Sequence, residues 1–584
     1  MPQSSTNQPN FALLLALAWL LAVLQLAAQH WATTAHTLLD TDDAMRLVQM
    51  RDFIAGHGWY DLHQPRINPP AGYDSHWSRL IDAGLTGLLW MLGRAFDAAL
   101  AERLMRTVWP MLWLLPTMGG AAAIAWRIAG REAALIALLL GTLGLQAFYQ
   151  FRPGRIDHHN VQIALSLLLV AATVWSDRVR WVAVAAGLIT ALMLAIGLEC
   201  LPYLIVCGIA FALRYVADPA AGSTARDYGL ALAAGSAVAF FGVVGPSHWT
   251  QGYCDAVGIN WVALAVVAGL GLARAGQRGI RDWRTRLALT LVIGAGALAL
   301  CIALEPRCLR GPYGQVDAAL GPIWLDHVHE MQPLIREIVT NPLAAVGMAA
   351  FPALAAVAAI LMLREGACRR DFGFLAASGA FAAAALTTIA AIKGYSYATW
   401  LAIPLVAAFA LRLFALLRVT SLLPRTALGV LLTPALVSLG AVTIADAATS
   451  GRAEGNALER SGCRDTASYA DLASLPPGLV AGTIELGPFL LALTPHTALA
   501  APYHRNGDGI AAGHAILAAP PDEARRLVAE KHVTYVAVCG QTGPYGLGRV
   551  QRAASLWTKL EAGEPPAWLE RLDVSGPIAV YRVR

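Results

Sequence analysis

Charge is what this chain has least of. Only 14% of its 584 residues are Asp, Glu, Lys or Arg, while 57% are hydrophobic; a soluble protein carries about 25% charged residues. That shortage excludes an ordinary water-soluble globular protein. The net charge of +5 is small for the length. With no basic stripe and no nucleic-acid motif, nucleic acid is not an expected partner. No basic segment precedes the first apolar run, so residues 11–29 read as an uncleaved span rather than a signal peptide. No short internal repeat of the solenoid type is present.

What the chain has instead is a succession of apolar runs of roughly 17–20 residues, each long enough to cross the hydrocarbon core as a helix. They lie at 11–29, 107–127, 133–149, 160–176, 181–198, 201–216, 228–246, 258–273, 287–304, 343–363, 371–391, 395–413 and 426–444. Thirteen spans put the two ends on opposite sides. The arginine bias chooses the orientation. With the N-terminus in the cytoplasm, Arg127/Arg131, Arg178/Arg180, Arg214/Arg226 and Arg364/Arg369/Arg370 fall inside, as does the dense group Arg274, Arg278, Arg281, Arg284 and Arg286. Residues 30–106, 150–159, 247–257, 305–342 and 445–584 then face outward, as expected of an integral protein of a bacterial inner membrane with a periplasmic C-terminal domain. The stretch 81–97 competes as a further span. Counting it would turn the five-arginine loop outward, so it reads as an interfacial helix in the first outer loop.

The chain therefore divides into a polytopic α-helical membrane domain, 1–444, and a soluble domain, 445–584. In the second part the periodicity changes to short β-type runs, LVAGTI at 479–484, HTALAAP at 496–502, VTYVAVC at 533–539 and IAVYRV at 578–583, with a helical stretch at 521–532. This predicts a small α/β domain. Of the eight cysteines, Cys254 and Cys308 fall in outer loops, and Cys463 and Cys539 in the C-terminal domain. An oxidising compartment lets each pair bridge; four free thiols are the other reading.

Ionisable residues are costly at membrane depth, so their clusters at span ends point to function. Asp40, Asp42 and Asp43 follow the first span. One Asp suffices to cap a helix, and three in four residues exceed that need. Asp157, His158 and His159 stand with Arg152 and Arg155 in FRPGRIDHHN, a carboxylate–imidazole set able to bind a divalent cation, or else a solvated loop. Asp326, His327, His329 and Glu330 crowd the loop 305–342, on a surface helix or in a site. Lys393 is the lone charge between spans eleven and twelve, placed either to snorkel or to neutralise a phosphate. Glu199, in IGLECLPY, is a further membrane-depth carboxylate, read as lining a groove or pairing with a helix and left outside the catalytic set.

In this order, these places resemble the STT3 family of oligosaccharyltransferases, of the GT-C superfamily. The resemblance covers the membrane region and weakens beyond it. DDAMRLVQMRD is similar to the family's acid-led helix after the first span, with Asp43 the better match and Asp42 one register away. NPPAGYDSHWSRL, 68–80, resembles the loop that follows. GRIDHHN matches a G-x-x-D-x-D/E motif, with Asp157 on the first acid and His159 replacing the second. HVHEMQP, 327–333, resembles the end of the family's large loop, with Glu330 on its glutamate. Lys393 takes the place of the basic residue that contacts the carrier diphosphate. The family's WWDYG, which reads the Ser/Thr of a glycosylation sequon, has only GTIELGPF, 482–489, as its counterpart. Both tryptophans are missing, and Glu485 stands for the Asp.

The resemblance implies an inverting, metal-dependent transfer of a sugar or oligosaccharide from a polyprenyl-(di)phosphate carrier to a protein, lipid or glycan acceptor on the outer face. Asp43, Asp157 and Glu330 are the expected catalytic and metal-binding carboxylates, with His159 as a further ligand. Lys393, Arg152 and Arg155 are expected on the carrier phosphate. Oxygen ligands suit Mg²⁺ or Mn²⁺, and a histidine favours Mn²⁺. PYHRNGDG, 502–509, is the most polar turn of the C-terminal domain, a surface turn or an acceptor contact. Two alternatives stand beside this reading. One is a GT-C transferase moving a single sugar from a polyprenyl monophosphate. The other is a lipid-linked sugar transporter, which calls for charges near span midpoints and related repeats in the two halves; here the acids gather in outer loops instead.

Overall fold

A computed structural model describes residues 10–449, 462–540 and 543–584. Residues 1–9, which lack a basic segment, and 450–461, in the first part of the expected C-terminal domain, lie outside the described residues. Among the described residues, eight helices are long and apolar enough to cross a membrane: Phe11–His30, Ala98–Ala129, Leu198–Ala217, Ile259–Gln277, Trp283–Leu304, Pro342–Leu363, Phe372–Ala390 and Ile392–Leu416. Leu422–Leu431 and Pro434–Ala447 add a ninth if taken together, bent by 56°. The other expected spans are helices too, but shorter or less apolar. Arg131–Thr142 gives way after 12 residues to a 3-10 turn, Leu145–Phe151. His159–Trp175 and Val182–Ile196 are shorter apolar helices, and Gly222–Val243 carries Arg226 and Asp227 near its start.

The helices show the packing that lipid demands. Leu13, Leu17, Leu20, Leu21 and Leu24 are exposed along Phe11–His30. Helices Gly222–Val243 and Ile259–Gln277 meet where Gly229 and Gly269 each face the other's carbonyl, with no room for a Cβ. Small residues let membrane helices approach in this way. The stretch read as interfacial is the helix Arg79–Leu92, 14 residues that bury Arg79, Ile81, Asp82 and Leu85 and expose Trp90 and Met91. At 1.5 Å per residue it is about 21 Å long, short of the roughly 30 Å core.

The segment between Phe11–His30 and Ala98–Ala129 also holds the helix Thr41–Ile54 and a two-stranded antiparallel pair, β1 (His63–Gln64) and β2 (Tyr73–Asp74). The C-terminal region forms a mixed sheet from β3 (Leu479–Gly482), β4 (Thr497–Ala498), β5 (Tyr535–Cys539), β6 (Leu569–Arg571) and β7 (Ile578–Val583), in the order β4-β3-β5-β7-β6. Four strands lie in the runs expected of them; β6 is additional. The expected helix is Pro521–Glu530. β3 pairs in parallel with β4 and β5, and the β5–β7–β6 half is antiparallel. One continuous apolar cluster reaches from the membrane helices to Val480, Ala498 and Ala537. A second, with Val536, Val538 and Trp557, covers the sheet's other residues.

The segment between Phe11–His30 and Ala98–Ala129 docks on this sheet. Asn68 N donates to Ala498 O, and Ala498 N donates to Arg66 O. The Arg66 guanidinium donates to the carbonyls of Leu491, Thr494 and His496. Helix Thr41–Ile54 packs against Gly487–Leu493. Of the two readings left open for these cysteines, the structure has the bridged one, Cys254–Cys308 and Cys463–Cys539, and the remaining cysteines are buried.

Candidate functional site

The three aspartates after the first span have three different surroundings. Asp40 caps the helix, its carboxylate accepting from Asp42 N at 3.3 Å and pairing with Arg155 at 3.0 Å. Asp43 is 1% exposed. Its Oδ2 accepts from Arg155 Nη1 at 2.8 Å, and its Oδ1 from the amides of Ile156 and Asp157 at 2.8 and 3.0 Å. Asp43 thus ties the start of Thr41–Ile54 to the 150–159 loop, and protein donors already occupy both its oxygens. The carboxylate of Asp42, half-buried, accepts no hydrogen bond among the described residues. Burial, then the charges of Asp157, Asp40 and Glu330, raise its pKa well above the usual carboxylate range. Asp42, not Asp43, is the open carboxylate that faces the other acids.

Asp157 is 1% exposed. Its Oδ1 meets His158 Nδ1 at 2.6 Å and Arg46 at 3.7 Å. Its Oδ2 is buried with no hydrogen-bond partner and lies 3.3 Å from His159 Nε2. Burial opposes ionisation of this carboxyl, but the charges of His158, His159 and Arg46 outweigh it and hold its pKa below the usual range. Behind it, Arg46 is fixed by Asp82 at 3.0 Å and lies over the Trp77 ring.

Sequence reasoning left Glu199 out, and the structure brings it in. Its Oε1 takes His159 Nδ1 at 2.9 Å and the Tyr397 hydroxyl at 2.8 Å, with His158 Nε2 at 3.6 Å. Lys393 Nζ is 4.0 Å from its Oε2. A carboxylate on one ring nitrogen fixes the tautomer and leaves the other nitrogen to bind a ligand. Here that free nitrogen is the Nε2 facing Asp157.

Glu330 is exposed, on the 3-10 turn His329–Met331. Its charge is felt by both Asp42 and Lys393. The turn is hooked to the lysine segment, because Ile392 N donates to Gln332 O at 2.9 Å. Asp157, His159, Glu330, Asp42 and Lys393 therefore converge from four segments. The two arginines go elsewhere. Arg155 is engaged by Asp40, Asp43 and Gln150. Arg152 lies over Tyr149 and lines a separate cavity of about 180 Å³ with Arg464 and Asp465. Glu485, in the segment expected to replace WWDYG, feels the charges of Asp40 and Arg464, and burial pushes its pKa up to about 7.

The residues present fit a divalent cation. Asp157, His158 and His159 bring one ligand atom each within 4.8 Å of one another; Asp157 Oδ2 accepts no hydrogen bond, and the unbonded carboxylate of Asp42 adds its charge to this cluster. A carboxylate with imidazoles is a donor set for Mn²⁺ or Zn²⁺ rather than for Ca²⁺.

No protein-family model matches the chain, and no curated protein matches it. Solved structures do. The Archaeoglobus fulgidus oligosaccharyltransferase in its apo form matches with a TM-score of 0.66 at 15% identity, over 90% of this chain and 69% of that one. The archaeal oligosaccharyltransferase AglB from the same organism, in complex with an inhibitory peptide and a dolichol-phosphate, gives 0.61 at 14% identity over the same shares. The A. fulgidus protein in complex with Zn and sulfate gives 0.57 at 15% identity, over 90% and 68%. At these identities the likeness is one of fold alone.

Proposed function

We propose that this chain is a membrane glycosyltransferase. On this fold it takes a sugar or oligosaccharide from a polyprenyl-phosphate or diphosphate carrier and transfers it to an acceptor at the outer membrane face. The observation that carries the reading is the convergence of the partnerless Asp157 Oδ2, the oriented His159 Nε2 and the open Asp42 carboxylate with Lys393, at the ends of apolar helices. Asp157 and His159, with Asp42 and Glu330 as further carboxylates, would hold a divalent cation, which would supply charge stabilisation for a departing phosphate.

The protein's own residues perform the remaining tasks. Lys393 receives the negative charge of the carrier phosphate as the bond from its oxygen to the anomeric carbon breaks. The acceptor nucleophile attacks that carbon from the opposite face, which inverts it. Its proton passes to a carboxylate, Glu330 or Asp42, placed as general base. Glu199 holds His159 and Lys393 together, so the phosphate side and the acidic side keep a fixed distance. Asp43 and Arg155 hold the two outer loops in register.

The test is a transfer assay with purified protein and a defined polyprenyl-linked donor, following loss of carrier-linked sugar and appearance of glycosylated acceptor. Consumption of a diphosphate-linked oligosaccharide supports the oligosaccharyltransferase reading; consumption of a monophosphate-linked monosaccharide supports the single-sugar alternative. Movement of intact donor across a vesicle membrane without consumption would overturn both.

A further inference from the structure

A second group of ligand-type side chains lies outside the candidate site. His76 comes from the first outer loop, Asp255 from the loop after Gly222–Val243, and His504 from the C-terminal region. Their ligand atoms all lie within 4.8 Å of one another. The group is separate from Asp157, His158 and His159, and the Trp77 ring stands between them, 5.3 Å from the His76 ring and 6.1 Å from that of His158.

Each member is fixed by an independent device. Asp255 follows Cys254, which is bridged to Cys308. Arg505 donates to both its oxygens, at 2.7 and 2.8 Å, and is itself packed over Tyr253. His504 follows Tyr503, which donates to Thr41 O at 3.0 Å and stacks on Tyr73. His76 follows the Tyr73–Asp74 strand. The imidazole of His76 makes no hydrogen bond to any described residue, and its Nδ1 is buried without a partner. Burial and the neighbouring His504 push its pKa well below that of a free imidazole. A ring with no hydrogen bond, facing a carboxylate and a second imidazole, is an incomplete polar cluster.

We propose that His76, Asp255 and His504 form a second divalent-cation site, suited to Zn²⁺, that fastens the C-terminal region to the outer loops. Two imidazole nitrogens and one carboxylate oxygen are zinc donors, and a tetrahedral site leaves one position for water. His504 Nε2 lies 2.6 Å from Asp255 Oδ2. A cation there would replace this hydrogen bond, with His504 Nε2 and Asp255 Oδ2 both turned to the metal. Arg505 is the supporting partner that orients the carboxylate, as metal-bound carboxylates commonly require. A cavity of about 250 Å³, lined by His76, Asp74, Tyr253 and Arg505 among others, gives the ion a path in. Because Tyr503 reaches the start of the Asp42 helix, closing this site holds that helix where the candidate catalytic cluster needs it. The inference stands on this cluster's own geometry, whether or not the chain transfers sugars.

The experiment uses the full-length protein in detergent with Asp157→Asn and His159→Asn, which disable the first cluster. Stripped with EDTA and equilibrated with Zn²⁺ alone, it should retain about one zinc per chain, and X-ray absorption at the zinc edge should show two histidine ligands. Adding His76→Gln should lower the affinity at least tenfold while the protein stays monodisperse with unchanged circular dichroism. If that variant does not fold, the absorption spectrum of the parent decides. No retained zinc, zinc with fewer than two histidine ligands, or unchanged affinity in a folded His76→Gln protein would overturn the proposal.

Discussion

His159 Nε2 lies 3.3 Å from the partnerless Oδ2 of Asp157. Glu199 makes that meeting possible by holding the opposite nitrogen of the ring at 2.9 Å. Replacing Glu199 with Gln lets the ring adopt the other tautomer and weakens its hold on a cation. Such supporting partners are worth about 10–100-fold in metal affinity. The Mn²⁺ concentration for half-maximal transfer should rise by that factor, with turnover at saturating Mn²⁺ reduced less. An unchanged metal requirement would remove Glu199 from the site.

Adjacent aspartates should behave in opposite ways. Asp42→Asn removes an open carboxylate from an acidic cluster. Turnover should fall by orders of magnitude while the melting temperature stays the same or rises. Asp43→Asn leaves the buried Arg155 with a weakened partner, and breaking a buried pair costs about 3–5 kcal/mol. That variant should melt at a clearly lower temperature. Thermal unfolding of both proteins in one detergent checks the pair; a destabilised Asp42→Asn with a stable Asp43→Asn would reverse the assignment.

Glu485 gives a pH signature. Its pKa in the fold is about 7, raised by burial and by Asp40, above the value of about 4.3 in an unfolded chain. An acid with a raised folded pKa contributes stability that is fully present below the unfolded value and lost as pH rises through the folded one. The Glu485→Gln protein should therefore outlast the wild type at pH 8, by roughly a few degrees, and the two should converge near pH 4. Parallel melting curves from pH 4 to 8 would show that Glu485 titrates normally.

The acceptor follows from the same segment. In the resembled family two tryptophans and an Asp form the pocket for a sequon hydroxyl, and here Thr483, Ile484 and Glu485 stand instead. Sites built to bond a hydroxyl reject analogues lacking it by roughly 10⁴–10⁵-fold. Paired peptides with Asn-x-Thr and Asn-x-Val should show little or no such preference. Efficient glycosylation of the threonine peptide alone would contradict this reading.

Much of the site was legible because charge is so rare in this chain. Asp157, Glu330 and Lys393 stand out at span ends, and the structure brings all three to one place. The register of the first acid was not legible. Helical periodicity places Asp42 and Asp43 side by side, and only the packing of residues 150–159 against Asp43 decides which one stays open. Glu199 was visible as a membrane-depth carboxylate, but its partner His159 is 40 residues away and Tyr397 is 198 away, a juxtaposition no local pattern encodes. The pairing of Arg155 with Asp40 and Asp43 was not legible either, because those partners lie more than 100 residues earlier in the chain. In the C-terminal region four strands were readable from apolar runs, whereas β6 is three residues long with one buried side chain, too short for alternation to show.

The central claim is that Asp42, Asp157 and His159 hold a cation that sugar transfer needs. It is tested most directly by one assay of transfer from a polyprenyl-linked donor after EDTA treatment, with Mn²⁺ added back, for the wild type and Asp157→Ala. The account predicts that EDTA abolishes transfer, that Mn²⁺ restores it in the wild type, and that Asp157→Ala stays lower by orders of magnitude at every Mn²⁺ concentration while remaining folded. Undiminished transfer in EDTA, or near wild-type turnover by Asp157→Ala, would contradict it.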